Sequence, residues 1–324
     1  MTKLLHLLFV LITATLGCNG SASKTEATQL LTSDTLITPG EKTYENYTFA
    51  YHLNEPDETF KLASILDEIS GLGISDSGAF LYTVQDENGI IFKLSKKTGE
   101  ILEQIKFHKD GDYEGIEVVG GKIYVVKSTG TIYEVSNLGQ STQQMKKTNS
   151  FLSAQNDVEG LGYDQKNNRL LIACKGIPAT GESFEVIRCK KVIYGFDLAT
   201  GEISLEPVCT IQLEDIRNYL GQNTGLRAYE KLLEFFSVGK ENLTFNPSAI
   251  AVHPLTNEVY VVSSSGKVLV VLDESDKVVH IEKLDKSVHA QPEGLVFDKD
   301  GTLYISNEGK GGKANIHRFN TSTE

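Results

Sequence analysis

The sequence predicts an all-β fold, a five-bladed β-propeller with a helical insertion before the fourth blade, and three observations carry that prediction. The first is a short core written five times: EISGLGIS around Ser70, DYEGIEVV around Glu114, DVEGLGYD around Glu159, NPSAIAVH around Ser248 and QPEGLVFD around Glu293. The second is spacing, 44 residues from Ser70 to Glu114 and 45 from Ser248 to Glu293. The third is that every core leads into two more short runs rich in β-branched and aromatic residues, separated by turn residues. Short meanders repeating every forty-odd residues are the signature of a propeller.

Taken in chain order, the first element is not part of the fold. MTKLLHLLFVLITATLGC places Lys3 before an apolar run from Leu4 to Leu16, too short for a permanent bilayer span and typical of a secretory signal. It ends in Thr15-Leu16-Gly17-Cys18, similar to a bacterial lipobox with Thr15 where leucine is usual. Residues 1–18 are therefore expected to be a lipoprotein-type signal ending at a lipidated Cys18. Asn19 after the cysteine is not the aspartate of an inner-membrane retention signal, which points to the outer membrane of the cell envelope. Residues 19–44, rich in Ser, Thr, Glu and Lys, read as a flexible tether, and 45–324 as the propeller.

Within each repeat, the core supplies the innermost strand. The residue directly after Ser70, Glu114, Glu159, Ser248 or Glu293 is always small (Gly71, Gly115, Gly160, Ala249, Gly294), as close approach around an axis requires. The second strands are FLYTV, KIYVV, RLLIA, EVYVV and TLYIS; the third are GIIFKL, GTIYEV, KVIYGFDL, KVLVVL and ANIHRF. The fifth repeat ends at Phe319 with no fourth strand, so NYTFAYHL, Asn46 to Leu53, is expected to supply it and close the ring. The 89 residues from Glu159 to Ser248 leave room for a sixth blade, but no further core occurs there. Lys175 to Lys191 reads as an extended hairpin, and Leu226, Tyr229, Leu232, Leu233 and Phe236 have helical spacing.

Composition excludes some functions. A net charge of −12 argues against a nucleic-acid partner; Lys96-Lys97 and Lys190-Lys191 read as solvated hairpin tips. Cys174 and Cys189 could pair in an oxidising envelope, leaving Cys209 free, or all three could remain buried thiols. Neither zinc spacing, a phosphate loop nor a Gly-x-Ser-x-Gly elbow is present. Asp298-Lys299-Asp300-Gly301 reads as a hairpin turn, not a calcium loop.

The chemistry concentrates at one mouth of the channel. Glu114, Glu159 and Glu293 recur at one repeat position, with Asp112 and Asp157 two places earlier. Three glutamates on one axis repel unless a cation or raised pKa values relieve them. An all-oxygen set suits Ca2+; the alternatives are glutamates capping backbone amides of neighbouring blades, or a proton-sharing catalytic pair.

Together LDEISGLGIS, DYEGIEVVGGKIYVV, DVEGLGYD and PEGLVFDKDGTLYIS resemble the SdiA-regulated (YjiK-like) family of bacterial envelope β-propellers, over roughly Tyr47 to Phe319. The resemblance implies five blades and a calcium ion at one end of the channel. It names no reaction. The positions that carry over are Glu114, Glu159 and Glu293, with Ser70 and Ser248 in the equivalent place. The expectation is a lipid-anchored, calcium-binding scaffold with a small-molecule or protein ligand at the channel mouth. The alternative is a calcium-dependent hydrolase of an ester, lactone or phosphoester, for which Asn156, Asn246 and Asn307 are the asparagines available beside the ion.

Overall fold

In the computed structural model, residues 47–238 and 242–322 are described. The signal segment, Cys18 and the tether to residue 44 lie outside the described residues. Five small antiparallel sheets form the blades. Blade one runs through Ile69–Ile74, Phe80–Gln85, Ile90–Ser95 and Ile101–Lys106; blade two through Tyr113–Val119, Lys122–Lys127, Ile132–Ser136 and Gln144–Thr148. Blade three comprises Val158–Asp164, Arg169–Cys174 and Lys190–Asp197, with both Glu202–Ile203 and Cys209–Gln212 pairing against the last. Blade four is Ala249–Val252, Val259–Ser263, Val268–Leu272 and Val278–Lys283, and blade five begins with Pro292–Phe297, Leu303–Asn307 and Asn315–Phe319. Each innermost strand touches the innermost strands of both neighbouring blades, so the sheets form a ring of five, not six.

The hydrophobic pattern explains the stacking. Val268–Leu272 is buried at every position, because a blade is covered on both faces by its neighbours and its middle strands need no polar side. Gln144–Thr148, an outer strand, is almost wholly exposed. Apolar side chains collect in five clusters, one at each blade-to-blade joint. Stability thus resides in the joints, and the ring must close for all five to exist.

Closure is achieved by a different segment from the one expected. The fourth strand of blade five is Glu58–Lys61, with Phe60 opposite Ile316, not Asn46 to Leu53. The alternating aromatics of Tyr47 to Leu53 instead strap the joint between blades four and five. Tyr51 and Leu53 are buried there, and Phe49 stacks on His280 at 4.0 Å. The Tyr51 hydroxyl donates to Gly301 O at 2.6 Å, and His289 Nε2 donates to Leu53 O at 2.6 Å. Phe60→Ala should cost about 3 kcal/mol, since Phe60 is buried in the joint between blades five and one. It should also promote aggregation by loosening an edge strand. Urea unfolding with light scattering checks both; a loss below about 1 kcal/mol would mean that the closing strand is held by its backbone alone.

The long interval before blade four holds no blade among its described residues. It contains helices Leu213–Asn223 and Leu226–Leu233 and a small pair, Ser237–Val238 with Asn242–Leu243. Leu233 and Phe236 are buried in the joint between blades three and four while Leu226 is exposed, so the insertion is a packed flap. The excursion expected as an extended hairpin over Lys175 to Lys191 is instead a loop over residues 175–189 with one helical turn, Phe184–Ile187. Lys190 and Lys191 begin a strand, and Lys191 donates to Lys175 O, so they are not a hairpin tip. Lys96 does sit in a turn but pairs with Asp298. Cys174 and Cys209 are buried free thiols, so the Cys174–Cys189 pair is not formed.

Candidate functional site

The repeated Glu-Gly has a local structural consequence that period-two geometry does not reveal. In blades two, three and five the innermost strand slips register at Tyr113/Gly115, Val158/Gly160 and Pro292/Gly294. The residue skipped each time is the glutamate. A bulge bends the strand and re-aims the extra side chain, so Glu114, Glu159 and Glu293 leave the sheet at one mouth of the channel. Blade one also slips register, between Ser70 and Gly73. Blade four does not: the Ser248 hydroxyl donates to Pro292 O at 2.7 Å and accepts the Ser264 N–H at 3.1 Å, tying blade four to blade five.

The three glutamates meet as a repelling group. Burial, then the charges of Glu159, Asp112 and Glu293, pushes the Glu114 carboxyl up to about 10. Burial, then Glu159 and Glu308, pushes Glu293 up to about 8. Glu159 is also raised by burial, but Lys175 opposes the shift: its Nζ lies 2.7 Å from Glu159 Oε1 and 3.6 Å from Asp157 Oδ2. Asp112 accepts a hydrogen bond from Ser128 and shares one with Glu114. The structure therefore brings the five expected residues into one neighbourhood, with the aspartates beside the glutamates.

A second ring, not anticipated from the sequence, surrounds the first. The residue just after the second strand of each blade is Asp86, Ser128, Lys175, Ser264 or Glu308. All five engage the first ring or the residues two places before it: Asp86 bonds Glu68, Ser128 bonds Asp112, Lys175 pairs with Glu159, Ser264 bonds Ser248, and Glu308 accepts from Gln291. Asp86 couples to Glu68, burial being the larger cause that lifts it to about 6, while Glu308 rises to about 7 through burial, then Asp86 and Glu68. The antiparallel hairpin puts the start of strand one and the end of strand two at the same mouth. That rule would have located these residues once the strands were drawn.

Among the described residues, no three His, Cys, Asp or Glu side chains already form a metal shell. The donor chemistry nonetheless fits a hard cation, because the cluster offers oxygen donors and its carboxyls outnumber its one lysine, Lys175. Of the three asparagines considered, Asn156 is occupied within its own turn, accepting the Ser153 N–H at 2.8 Å and donating to Ile177 O at 2.8 Å. Asn307 is fully buried and donates to Asn315. His108 packs edge-on against Tyr133, away from an acid-base partnership.

A sequence profile of the family described as SdiA-regulated matches residues 47–188 and 230–310. No curated protein matches the chain in sequence. Among solved structures, it resembles the glutaminyl cyclase of Myxococcus xanthus, at 10% identity over 83% of this chain and 97% of that one, with a TM-score of 0.52. A streptogramin B lyase is similar at 14% identity and TM-score 0.41, over 78% of this chain and 65% of the lyase; a luciferin-regenerating enzyme at 12% and 0.45, over 82% and 95%. At such identities the likeness is one of fold.

Proposed function

The chain belongs to the SdiA-regulated family, and from that membership and the chemistry of its acidic mouth we propose a calcium-binding β-propeller that serves as a binding module at the bacterial cell envelope, tethered through lipid on Cys18. The observation that carries the reading is the bulge-presented trio Glu114, Glu159 and Glu293, crowded until protons relieve it. A divalent cation gives the same relief with the carboxylates ionised. Glu114 and Glu293 would hold the ion, with Asp112 supporting Glu114. Glu159 would join as Lys175 swings aside, the ion replacing the ammonium as the positive partner of a carboxylate whose side chain is 13% exposed. Asp157 would remain with the lysine. Bound Ca2+ would present a positive site to the oxygen of a ligand at the mouth. The hydrolase reading has less support, because Asn156 is committed to internal hydrogen bonds through both its side-chain atoms, although Asn307 donates to Asn315 and leaves its Oδ1 without a partner.

Calcium titration calorimetry on chelator-stripped full-length protein tests the reading, beside Glu114→Gln and Glu159→Gln. The expected result is one saturable site, weakened by more than about tenfold in each variant, the scale on which metal sites respond to a lost supporting group. No heat and no rise in melting temperature with calcium would leave the glutamates as proton-holding groups on a metal-free scaffold.

A further inference from the structure

The opposite mouth of the channel holds a cavity of about 670 Å3, built from the far ends of all five innermost strands. Its wall includes Ile74, Val118, Tyr163, Val252 and Val296. Three places after the bulge position the repeat reads Gly73, Glu117, Gly162, Ala251 and Val296: four small or aliphatic residues and one carboxylic acid. Glu117 is 8% exposed and lines the cavity. Its Oε1 accepts the Val118 N–H at 2.9 Å, and the Tyr163 backbone N–H of blade three also donates to it.

We propose that this second mouth binds a small organic cation, an amine on an apolar body, with the ammonium against the Glu117 carboxyl and the body along Tyr163 and the aliphatic wall. The volume is that of a small-molecule site. The surrounding charges favour a cation over an anion. Asp76 of blade one faces Glu117 and adds negative charge. On blade three, Lys166 is paired with Glu274 at 2.9 Å, and on blade five, Asp298 is paired with Lys96, leaving Lys299 at the rim. His253 of blade four is neutral, its Nδ1 accepting from Leu255 and Thr256 and its Nε2 donating to Tyr51. Burial pushes Glu117 up to about 8 in spite of its two N–H donors. A glutamine would cap Tyr163 equally well without that burden, so a role confined to capping does not account for an acid here.

Titration calorimetry on the full-length protein with 2-phenylethylamine, against 2-phenylethanol and phenylacetate, tests this. At pH 7 the amine should bind with release of up to one proton, read from buffers of different ionisation heat, and at pH 9 with less. Glu117→Gln should weaken binding at least tenfold and abolish the proton release while its melting temperature holds or rises. Val252→Phe, which narrows the cavity without touching Glu117, should weaken binding too, and Glu114→Gln at the other mouth should leave it unchanged. Absence of amine binding, equal binding of 2-phenylethanol, or full affinity in folded Glu117→Gln would overturn the proposal.

Discussion

In chelator, the melting temperature falls as the pH rises from about 7 to about 9, and saturating calcium removes most of that fall. The sign comes from proton counting. Glu114 is held at about 10 and Glu293 at about 8, both above the ordinary glutamate value of 4.5. Between the unfolded and folded values the folded chain binds more protons, so stability declines as pH increases. The decline begins above the unfolded value and is complete for Glu293 above about 8 and for Glu114 above about 10. Below pH 7 an opposite trend overlaps it: burial holds His289 near 4, so the unfolded chain takes up its proton first and stability rises with pH up to the ordinary histidine range. Above pH 7 the carboxyls dominate, among them Glu117 at the opposite mouth, held at about 8, whose smaller share of the fall calcium leaves in place.

Calcium reverses the preference by favouring the ionised glutamates. At a thousand times its dissociation constant, a ligand stabilises by about 4 kcal/mol, which corresponds to roughly 7 °C for a domain of this size. Glu114→Gln should flatten the chelator profile by removing the group with the largest shift. A flat or rising profile in wild-type chelator would show that the mouth is more hydrated than its packing implies. A falling profile that calcium leaves untouched would keep the protonated glutamates and remove the ion.

The blades were legible because a repeat announces itself five times, and each copy needs the same small residue near the axis. The closing strand was not, since NYTFAYHL alternates aromatic with smaller or polar residues as a strand would, while ETFK has one apolar residue, Phe60. Alternation fixes which side chains face inward, but not whether the backbone pairs with Asn315–Phe319 or lies across a joint. The first acidic ring was readable from identical glutamates at identical positions. The second was hidden because Asp86, Ser128, Lys175, Ser264 and Glu308 share a place in the hairpin and no chemical type. Lys175 matters most among them: the sequence offers no sign that a lysine from a second strand meets Glu159, so the positive charge of the mouth was undercounted.

Gly71→Ala will destabilise the protein by about 2 to 5 kcal/mol, more than the same change at Gly160. Gly71 has a φ of 66°, and a Cβ there would stand 2.9 Å from Gly115 Cα and 2.9 Å from Ile116 N. The left-handed backbone costs an alanine roughly 1–2 kcal/mol, and overpacking against backbone atoms that cannot rotate away adds about 1–3 kcal/mol. At Gly160 the φ is ordinary and the first contact would be the Ile250 Cγ2 methyl at 3.0 Å. That side chain can shift slightly, the Ala173 Cβ and Ile250 N that follow are at 3.2 Å, and blade four carries Ala249 at the same repeat position, so about 1–2 kcal/mol is expected there. Urea unfolding of both variants, with unchanged slopes to confirm that the same surface is exposed, measures the difference. Equal small losses would mean that blades one and two retain slack at the axis. A large loss at Gly71 alone would show that the joint carrying Glu114 is set by backbone contact, and hence that the geometry of the acidic mouth is fixed by the fold before any ion arrives.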